Sequence, residues 1–122
     1  MVIGVGVDVV DVARFCIALT RTPTMRERLF VAEELACVAP MADPIPSLAA
    51  RFAAREAVMK AMGLGLGAFG FHEVWVHVVE SGAPMLVVEG RARELAVDRG
   101  ITAWNLSLAH DGGVAIAMVV AS

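Results

Sequence analysis

The segment that most constrains the fold is an apolar helix predicted over residues 48–62. Phe52 and Met59 lie on its apolar face at helical spacing, and Ser47 precedes the helix as a favourable N-cap residue. The glycine-rich segment 63–67 (GLGLG) ends the helix and begins a loop. Because the chain has only 122 residues, it has room for one domain, which we expect to be built around this helix.

Alternating and periodic apolar residues predict the remaining elements. The predicted strands cover residues 2–10, 73–79, 85–89, 104–109 and 114–120. The other predicted helices run from Asp11 to the residue before Pro23, over residues 24–38 and over residues 91–99. Turns at 81–84 and 111–113 join neighbouring strands, which favours antiparallel pairing. We therefore expect a single α+β domain over residues 1–122, with a largely antiparallel sheet wrapped on one long central helix.

The composition excludes several classes of protein. The chain is 58% hydrophobic and carries 13 acidic against 10 basic residues, which is unlike a disordered segment. Its longest uncharged stretches are much shorter than the roughly 20 residues that span a bilayer, and no secretory leader precedes Asp8. No lysine- or arginine-rich run is present, which argues against nucleic acid as a partner. We expect a soluble protein with neither a membrane nor a nucleic-acid partner.

Cysteine usage and apolar content predict the compartment and the assembly. Cys16 and Cys37 have no metal-binding or disulfide spacing, so we expect both to be buried, reduced thiols of a cytoplasmic protein. A domain this small has a large surface for its volume, yet only 19% of its residues are charged. Part of the apolar surplus should therefore lie between subunits of a homo-oligomer.

Two carboxylates in apolar surroundings are the main candidates for chemistry. Asp8 shares one side of its strand with Gly4 and Gly6, where a backbone or ligand can approach closely. Glu56 lies at the edge of the apolar helix face. If the helix packs across the first strand, both acids converge on one hard cation, and the open coordination positions suit phosphate oxygens around Mg²⁺. Lys60, the only lysine of the chain, follows Glu56 by one turn and could neutralise the same phosphates.

Each candidate also has an ordinary structural interpretation. Asp8 could lie at an exposed strand end, and Glu56 could form a solvated ion pair with Lys60 one helical turn away. His110, beside the predicted 111–113 turn, could be a polar surface residue. The other two histidines share no ligand spacing with it, which argues against a zinc site. The 63–67 segment lacks the features of a nucleotide-binding glycine loop.

Several segments in order resemble the family of holo-acyl-carrier-protein synthases. Residues 4–12 (GVGVDVVDV) look like the opening of that family, and residues 51–57 (RFAAREA) with 60–63 (KAMG) look like its second signature. The hairpin 82–84 (GAP) and residues 106–111 (LSLAHD) follow in the expected order, so the similarity covers essentially the whole chain.

The resemblance implies a fold, an assembly and a reaction. The fold would be that of 4′-phosphopantetheinyl transferases, assembled as a homotrimer with sites between neighbouring subunits. The reaction would be the Mg²⁺-dependent transfer of the phosphopantetheine arm of coenzyme A to a serine of an apo acyl carrier protein. Adenosine 3′,5′-bisphosphate would be released. The carrier protein would serve fatty-acid or polyketide synthesis.

The resemblance also implies a role for each matching residue. The metal ligands would be Asp8 and Glu56, and Lys60, which contacts the phosphates, would complete the catalytic set. The nucleotide would be bound by Lys60, Gly63, Arg51, Pro84 and His110, of which Arg51, Pro84 and His110 would come from a second subunit. The carrier protein, expected to be acidic, would dock on Arg14, Arg21, Arg26 and Arg28. Either Glu56 or a bound water would take the serine proton.

Three departures from the family pattern carry further expectations. Arg55 stands where the family usually has lysine, and we expect its wider guanidinium, next to a metal ligand, to alter the geometry of the site. The hairpin 82–84 lacks the basic residue common there. Residues 41–47 contain no lysine or arginine, whereas relatives often place a basic residue there for the ribose 3′-phosphate. We therefore expect weaker coenzyme A binding, or dependence on Arg51 alone.

Two other functions remain open at this point. The chain could be a catalytically inactive homologue that binds coenzyme A or a carrier protein without turnover, as the missing basic residue suggests. It could also be a structural domain of a larger fatty-acid or polyketide synthase. The presence of Asp8, Glu56 and Lys60 together favours an active transferase.

Overall fold

The computed structural model describes residues 1–122 and contains five strands, five α-helices and one 3₁₀ turn at Phe71–Glu73. The strands are β1 (Gly4–Asp11), β2 (Val74–Val78), β3 (Pro84–Val88), β4 (Trp104–Asp111) and β5 (Val114–Ala121). The helices are α1 (Val12–Arg21), α2 (Met25–Leu29), α3 (Ala32–Val38), α4 (Ile45–Ala61) and α5 (Gly90–Asp98). The predicted single α+β domain is confirmed. None of the helices combines the length and the hydropathy needed to cross a membrane.

The strands form two antiparallel sheets rather than one. The larger sheet has the order β1-β5-β4, and the smaller sheet pairs β2 with β3. The register of the larger sheet places Asp8 opposite Ala117 and Asp11 opposite Val114. Helix α4 packs against both sheets, with most of its contacts to β1 and β5. The central helix of the prediction is therefore confirmed.

Glycines on β1 let its backbone pack directly on α4. A Cβ atom built on Gly6 would lie 1.8 Å from the carbonyl oxygen of Ala57, and one on Gly4 would lie 1.9 Å from that of Ala61. No side chain can occupy either position without moving the strand or the helix. Because strand side chains alternate, the same face next presents Asp8, so the close approach brings this carboxylate to the flank of α4.

Helix α4 begins earlier than the sequence predicted. It starts at Ile45 after Pro44, and Pro46 lies in its first turn, where the missing N–H of proline leaves no helical bond unmade. Ser47 is therefore inside the helix and does not cap it. Its hydroxyl accepts a hydrogen bond from Arg51 instead.

Two other predictions about the first half of the chain were wrong. The helical region 24–38 is split into α2 and α3, because Phe30 and Val31 adopt extended conformations between them. The thiols are not both buried, since Cys37 is exposed and Cys16 is partly exposed, although both are free as expected. The Asp11 cap of α1 is confirmed, because its side chain accepts a hydrogen bond from the Arg14 amide.

Candidate active site

Asp8 and Lys60 meet where β1 crosses α4. The Lys60 ammonium donates one hydrogen bond to Asp8 Oδ1 at 3.0 Å and another to the carbonyl oxygen of Val7 at 3.0 Å. The Asp8 side chain is 17% exposed, whereas that of Lys60 is 54% exposed. Lys60 forms its ion pair with Asp8 across the two elements and not with Glu56 along the helix. The ordinary interpretation of Glu56 and Lys60 as a helical ion pair is therefore wrong.

Glu56 points into the same cleft and lacks a partner. Its Oε1 atom is buried and makes no hydrogen bond. Burial raises the pKa of the Glu56 carboxyl, and the negative charge of Asp8 raises it further, while the positive charge of Lys60 opposes both effects. A partly buried carboxylate with an unsatisfied oxygen, close enough to a second carboxylate to feel its charge, is an unfavourable arrangement without a cation.

The donor set fits a hard divalent cation. Two carboxylates face one cleft, and one of their oxygens has no partner within the chain. No group of three or more His, Cys, Asp or Glu side chains is placed to hold a metal ion. An ion held by Asp8 and Glu56 would thus keep most of its coordination positions for oxygens from water and from a ligand, which suits Mg²⁺ bound together with phosphates.

The cleft around the two acids has a volume of about 450 Å³ and a mixed lining. Arg14 of α1 supplies a positive charge at one side. Its apolar wall includes Phe15, Phe52 and Leu66. The rings of Phe15 and Phe52 pack with their centroids 5.5 Å apart, which ties α1 to α4. The cleft can therefore hold an anionic group beside an apolar one.

The remaining nucleotide-binding candidates lie outside this cleft. Arg51 is only 4% exposed, and its guanidinium donates to Ser47 and, at 3.3 Å, to Cys37 Sγ. Pro84 begins β3, and His110 is exposed on β4 opposite Ala115. One chain therefore does not bring Arg51, Pro84 or His110 to its own acid pair, and their assignment to a neighbouring subunit's site stays a prediction.

Gly63 occupies a backbone conformation that only glycine adopts easily. It follows α4 with a φ of 70°, and its amide donates to the carbonyl oxygen of Lys60 at 3.0 Å. No atom would lie within 4 Å of a Cβ at this position. The exposed loop that begins here carries Leu66 to the edge of the cleft.

Four arginines lie on α1 and α2. They are Arg14, Arg21, Arg26 and Arg28. Arg26 is partly buried and the other three are exposed. None of the four takes part in an ion pair within the chain. Their charge is therefore available to an anionic partner.

The sequence of the chain matches that of a known protein family. A sequence model described as the 4′-phosphopantetheinyl transferase superfamily matches residues 4–119, which is nearly the whole chain. The chain belongs to this superfamily. The resemblance noted in the sequence is thereby confirmed for the fold and the family.

Relatives of this superfamily member agree in length and fold. A holo-[acyl-carrier-protein] synthase of Beutenbergia cavernae is 49% identical over 121 residues, which cover 99% of this chain and 98% of the relative. The crystal structure of the Neisseria meningitidis synthase superposes with a TM-score of 0.89 at 29% identity, covering 100% of this chain and 99% of the other. The Helicobacter pylori synthase, solved in complex with coenzyme A, gives a TM-score of 0.80 at 27% identity, with coverage of 97% and 99%.

In this superfamily member, Arg55 does not reach the acid pair, contrary to the expectation from sequence. Its guanidinium is fully buried on the other side of α4, where it forms an ion pair with Glu34. It also donates to the carbonyl oxygens of Phe71 at 2.8 Å and Arg51 at 3.1 Å. Its effect on the site can only act through the position of the helix, because neither Asp8 nor Glu56 touches it.

The sequence reasoning missed Glu34, although a signal was present. Phe30, Glu34 and Val38 are spaced by four, and all three are buried, so the glutamate occupies an apolar position. Its carboxylate accepts hydrogen bonds from the amides of Val31 and Val76, both at 3.1 Å, in addition to Arg55. A charge at an apolar helical position predicts a buried partner of opposite sign.

Proposed function

We propose that this protein is a holo-acyl-carrier-protein synthase. It transfers the 4′-phosphopantetheine arm of coenzyme A to a serine of an apo acyl carrier protein and releases adenosine 3′,5′-bisphosphate. The observation that carries the proposal is the pair Asp8 and Glu56 at one cleft, with a buried Glu56 oxygen that has no partner in the chain. The names of the full-length relatives and the coenzyme A complex of the Helicobacter pylori synthase support it.

The acid pair is proposed to bind Mg²⁺. When bound, the ion would supply positive charge to the pyrophosphate of coenzyme A. Lys60 adds a second positive charge, since its ammonium is fixed on Asp8 and Val7 but remains accessible enough to donate to a phosphate oxygen. Together the two positive charges would stabilise the negative charge that develops on the leaving phosphate.

The proton of the attacking serine has two proposed acceptors. One is the Glu56 carboxylate, which lines the cleft that the serine would enter. The other is a water in the cleft. Arg14 stands at the α1 side of the cleft, where it can hold an acidic carrier protein so that its serine faces Glu56.

The acidic carrier protein is proposed to dock on the four arginines of α1 and α2. Arg14, Arg21, Arg26 and Arg28 have no acidic partners within the chain, and the chain as a whole carries a net charge of −3. A local positive surface on an acidic protein steers a negatively charged partner to one face. Of the four arginines, Arg14 borders the acid pair, because it lines the cleft.

A homotrimer is proposed from the outer face of the larger sheet. Val5, Val7 and Val9 on β1 and Ile116 and Met118 on β5 are between 36% and 57% exposed. The register places Val7 opposite Met118 and Val9 opposite Ile116, so these side chains form one continuous apolar surface. Contact between copies through this face would bury it, and the family resemblance implies that Arg51, Pro84 and His110 would then complete a neighbouring subunit's site.

One observation favours an inactive coenzyme A-binding homologue instead. Residues 41–47 provide no basic side chain, and the Arg51 guanidinium is already engaged by Ser47 and Cys37. Poor contact with the 3′-phosphate would weaken coenzyme A binding. The complete set of Asp8, Glu56 and Lys60 favours turnover.

Mass spectrometry of a carrier protein tests the proposal directly. Apo acyl carrier protein is incubated with coenzyme A, MgCl₂ and the protein, and the added phosphopantetheine is detected as a mass increase. Asp8→Ala and Glu56→Ala should abolish the transfer, whereas Glu80→Ala, at an exposed acid far along the chain, should not. Full activity in either of the first two variants would contradict the metal assignment, and no transfer by the wild type would contradict the function.

A further inference from the structure

Helix α2, which carries Arg26 and Arg28, has little stability of its own. It spans only Met25–Leu29, and its N-terminus has no side-chain cap. A helix of about one turn does not persist in water without tertiary contacts. Leu29 is buried and holds one face of the helix, but Arg28 is exposed and Arg26 is only partly buried. The direction in which the two arginines point therefore depends on what else fixes α2.

His72 supplies a contact at the end of α2. Its Nε2 atom lies 2.7 Å from the carbonyl oxygen of Glu27, so the imidazole donates a hydrogen bond there. This carbonyl has no helical partner, because the amide of Val31, four residues later, donates to the Glu34 side chain. Glu27 lies between Arg26 and Arg28 in sequence, so a hydrogen bond to its carbonyl oxygen restrains the backbone that carries both arginine side chains.

The 3₁₀ turn that carries His72 is itself fixed to α4. Arg55 Nε donates to the carbonyl oxygen of Phe71 at 2.8 Å. The Phe71 ring packs on Phe52, with centroids 6.2 Å apart, and Phe52 lines the cleft. Arg55 directly precedes Glu56 in α4. A short chain of contacts therefore runs from the helix that carries Glu56, through the 3₁₀ turn, to the helix that carries Arg26 and Arg28.

We propose that His72 is a positioning residue for carrier-protein recognition, which holds Arg26 and Arg28 of α2 at a fixed place relative to the acid pair. The proposal rests on the proposed function, because it assigns the acidic partner of α2. Loss of the hydrogen bond to Glu27 lets α2 fray. The carrier protein must then order the helix when it binds, which lowers its apparent affinity but leaves coenzyme A binding and the chemical step unchanged.

Steady-state kinetics on matched histidine variants tests the proposal. His72→Phe keeps a ring but removes the donor, and His72→Gln keeps an N–H at similar reach. His77→Phe is the control, since His77 bonds to the Glu33 side chain on α3 and not to α2. We expect His72→Phe to raise the KM for apo carrier protein about fivefold, which is the factor that one ordinary hydrogen bond corresponds to. The kcat and the KM for coenzyme A should not change.

Two further measurements separate positioning from a general structural effect. In an Arg26→Ala/Arg28→Ala background, His72→Phe should have no additional effect on the KM for the carrier, because the groups that it positions are gone. Hydrogen exchange should show faster exchange of the Arg28 and Phe30 amides in His72→Phe, with the amides of α4 unchanged. These two amides close the α2 turn by bonding to Thr24 and Arg26.

The outcomes separate a failure of this inference from a failure of the proposed function. If the wild type is active and His72→Phe has the same KM for the carrier protein, the inference is overturned. It is also overturned if His77→Phe raises this KM equally, or if His72→Phe raises it by the same factor in the Arg26→Ala/Arg28→Ala background. Rescue of the KM by His72→Gln supports it. A wild type that modifies no carrier protein contradicts the proposed function instead, and the hydrogen-exchange comparison then tests the anchoring of α2 by itself.

Discussion

The buried ion pair between Glu34 and Arg55 gives the sharpest prediction about stability. Both side chains are fully buried, and the pair joins α3 to α4, to β2 through the Val76 amide, and to the 3₁₀ turn through Phe71. Arg55 also lies over the ring of Phe30 at 5.1 Å from its centroid. Glu34→Gln keeps the volume of the side chain but removes its charge, so that it leaves a buried guanidinium without a counter-ion.

The expected loss of unfolding free energy follows from that uncompensated charge. Removing one partner of a buried pair costs about 3–5 kcal/mol, against a total stability of about 5–15 kcal/mol for a domain of this kind. The adjacent Glu33→Gln is the matched control. Glu33 is exposed and bonds only to His77, so its substitution should change stability by less than about 0.5 kcal/mol.

Urea unfolding at one protein concentration, followed by the fluorescence of Trp75 and Trp104, measures both variants. A second variant, Glu34→Leu/Arg55→Met, removes the unpaired charge but also leaves the Val76 amide and the Phe71 carbonyl without their partners, so it should recover only part of the loss. A loss in Glu34→Gln no larger than that in Glu33→Gln would refute the reasoning, because it would show that Arg55 is not buried against a single counter-ion.

Three further predictions concern the acid pair, the strand–helix contact and the nucleotide. The raised pKa of Glu56 stabilises the metal-free folded state at acidic pH, and that contribution is lost as pH rises through the folded-state pKa. With a chelator present, the melting temperature of the wild type should therefore decrease relative to that of Glu56→Gln as pH rises. The same dependence of melting temperature on pH in both proteins would contradict this. Gly6→Ala should destabilise the fold by about 1–3 kcal/mol or more in urea unfolding, because its Cβ would overlap a carbonyl of α4, while Gly65→Ala, which has open space around it, should not. Calorimetry should give nearly equal affinities for coenzyme A and its 3′-dephospho form, since residues 41–47 offer no basic side chain. A large preference for coenzyme A would contradict this expectation.

The part of the site that depends on the alternation of side chains along β1 could be predicted from the sequence. The period of two along β1 places Asp8 on the side of Gly4 and Gly6, and the missing side chains of these glycines predict a close approach. The structure confirms both, with the backbone of α4 lying against the glycines. The presence of Glu56 and Lys60 on the facing helix followed from helical spacing alone.

The contacts between distant elements could not be predicted in the same way. The side of α4 that Arg55 faces depends on Glu34, whose position is fixed by the break between α2 and α3 at Phe30. The direction of Lys60 toward Asp8 depends on how β1 crosses the helix. The division into two sheets reflects the strand order β1-β5-β4, which sequence periodicity does not encode. Local patterns thus identified the candidate site residues, whereas tertiary packing decided which of them meet.

Binding of Mn²⁺, which takes similar oxygen ligands to Mg²⁺ and is visible by electron paramagnetic resonance, tests the central proposal most directly. Titrated in the presence of coenzyme A, the wild type should bind one ion per site, and Asp8→Asn and Glu56→Gln should each lose most of that binding. Glu80→Gln, at an exposed acid, should bind as the wild type does. Equal Mn²⁺ binding in all four proteins would show that these two carboxylates do not hold the ion and would contradict the mechanism built on them.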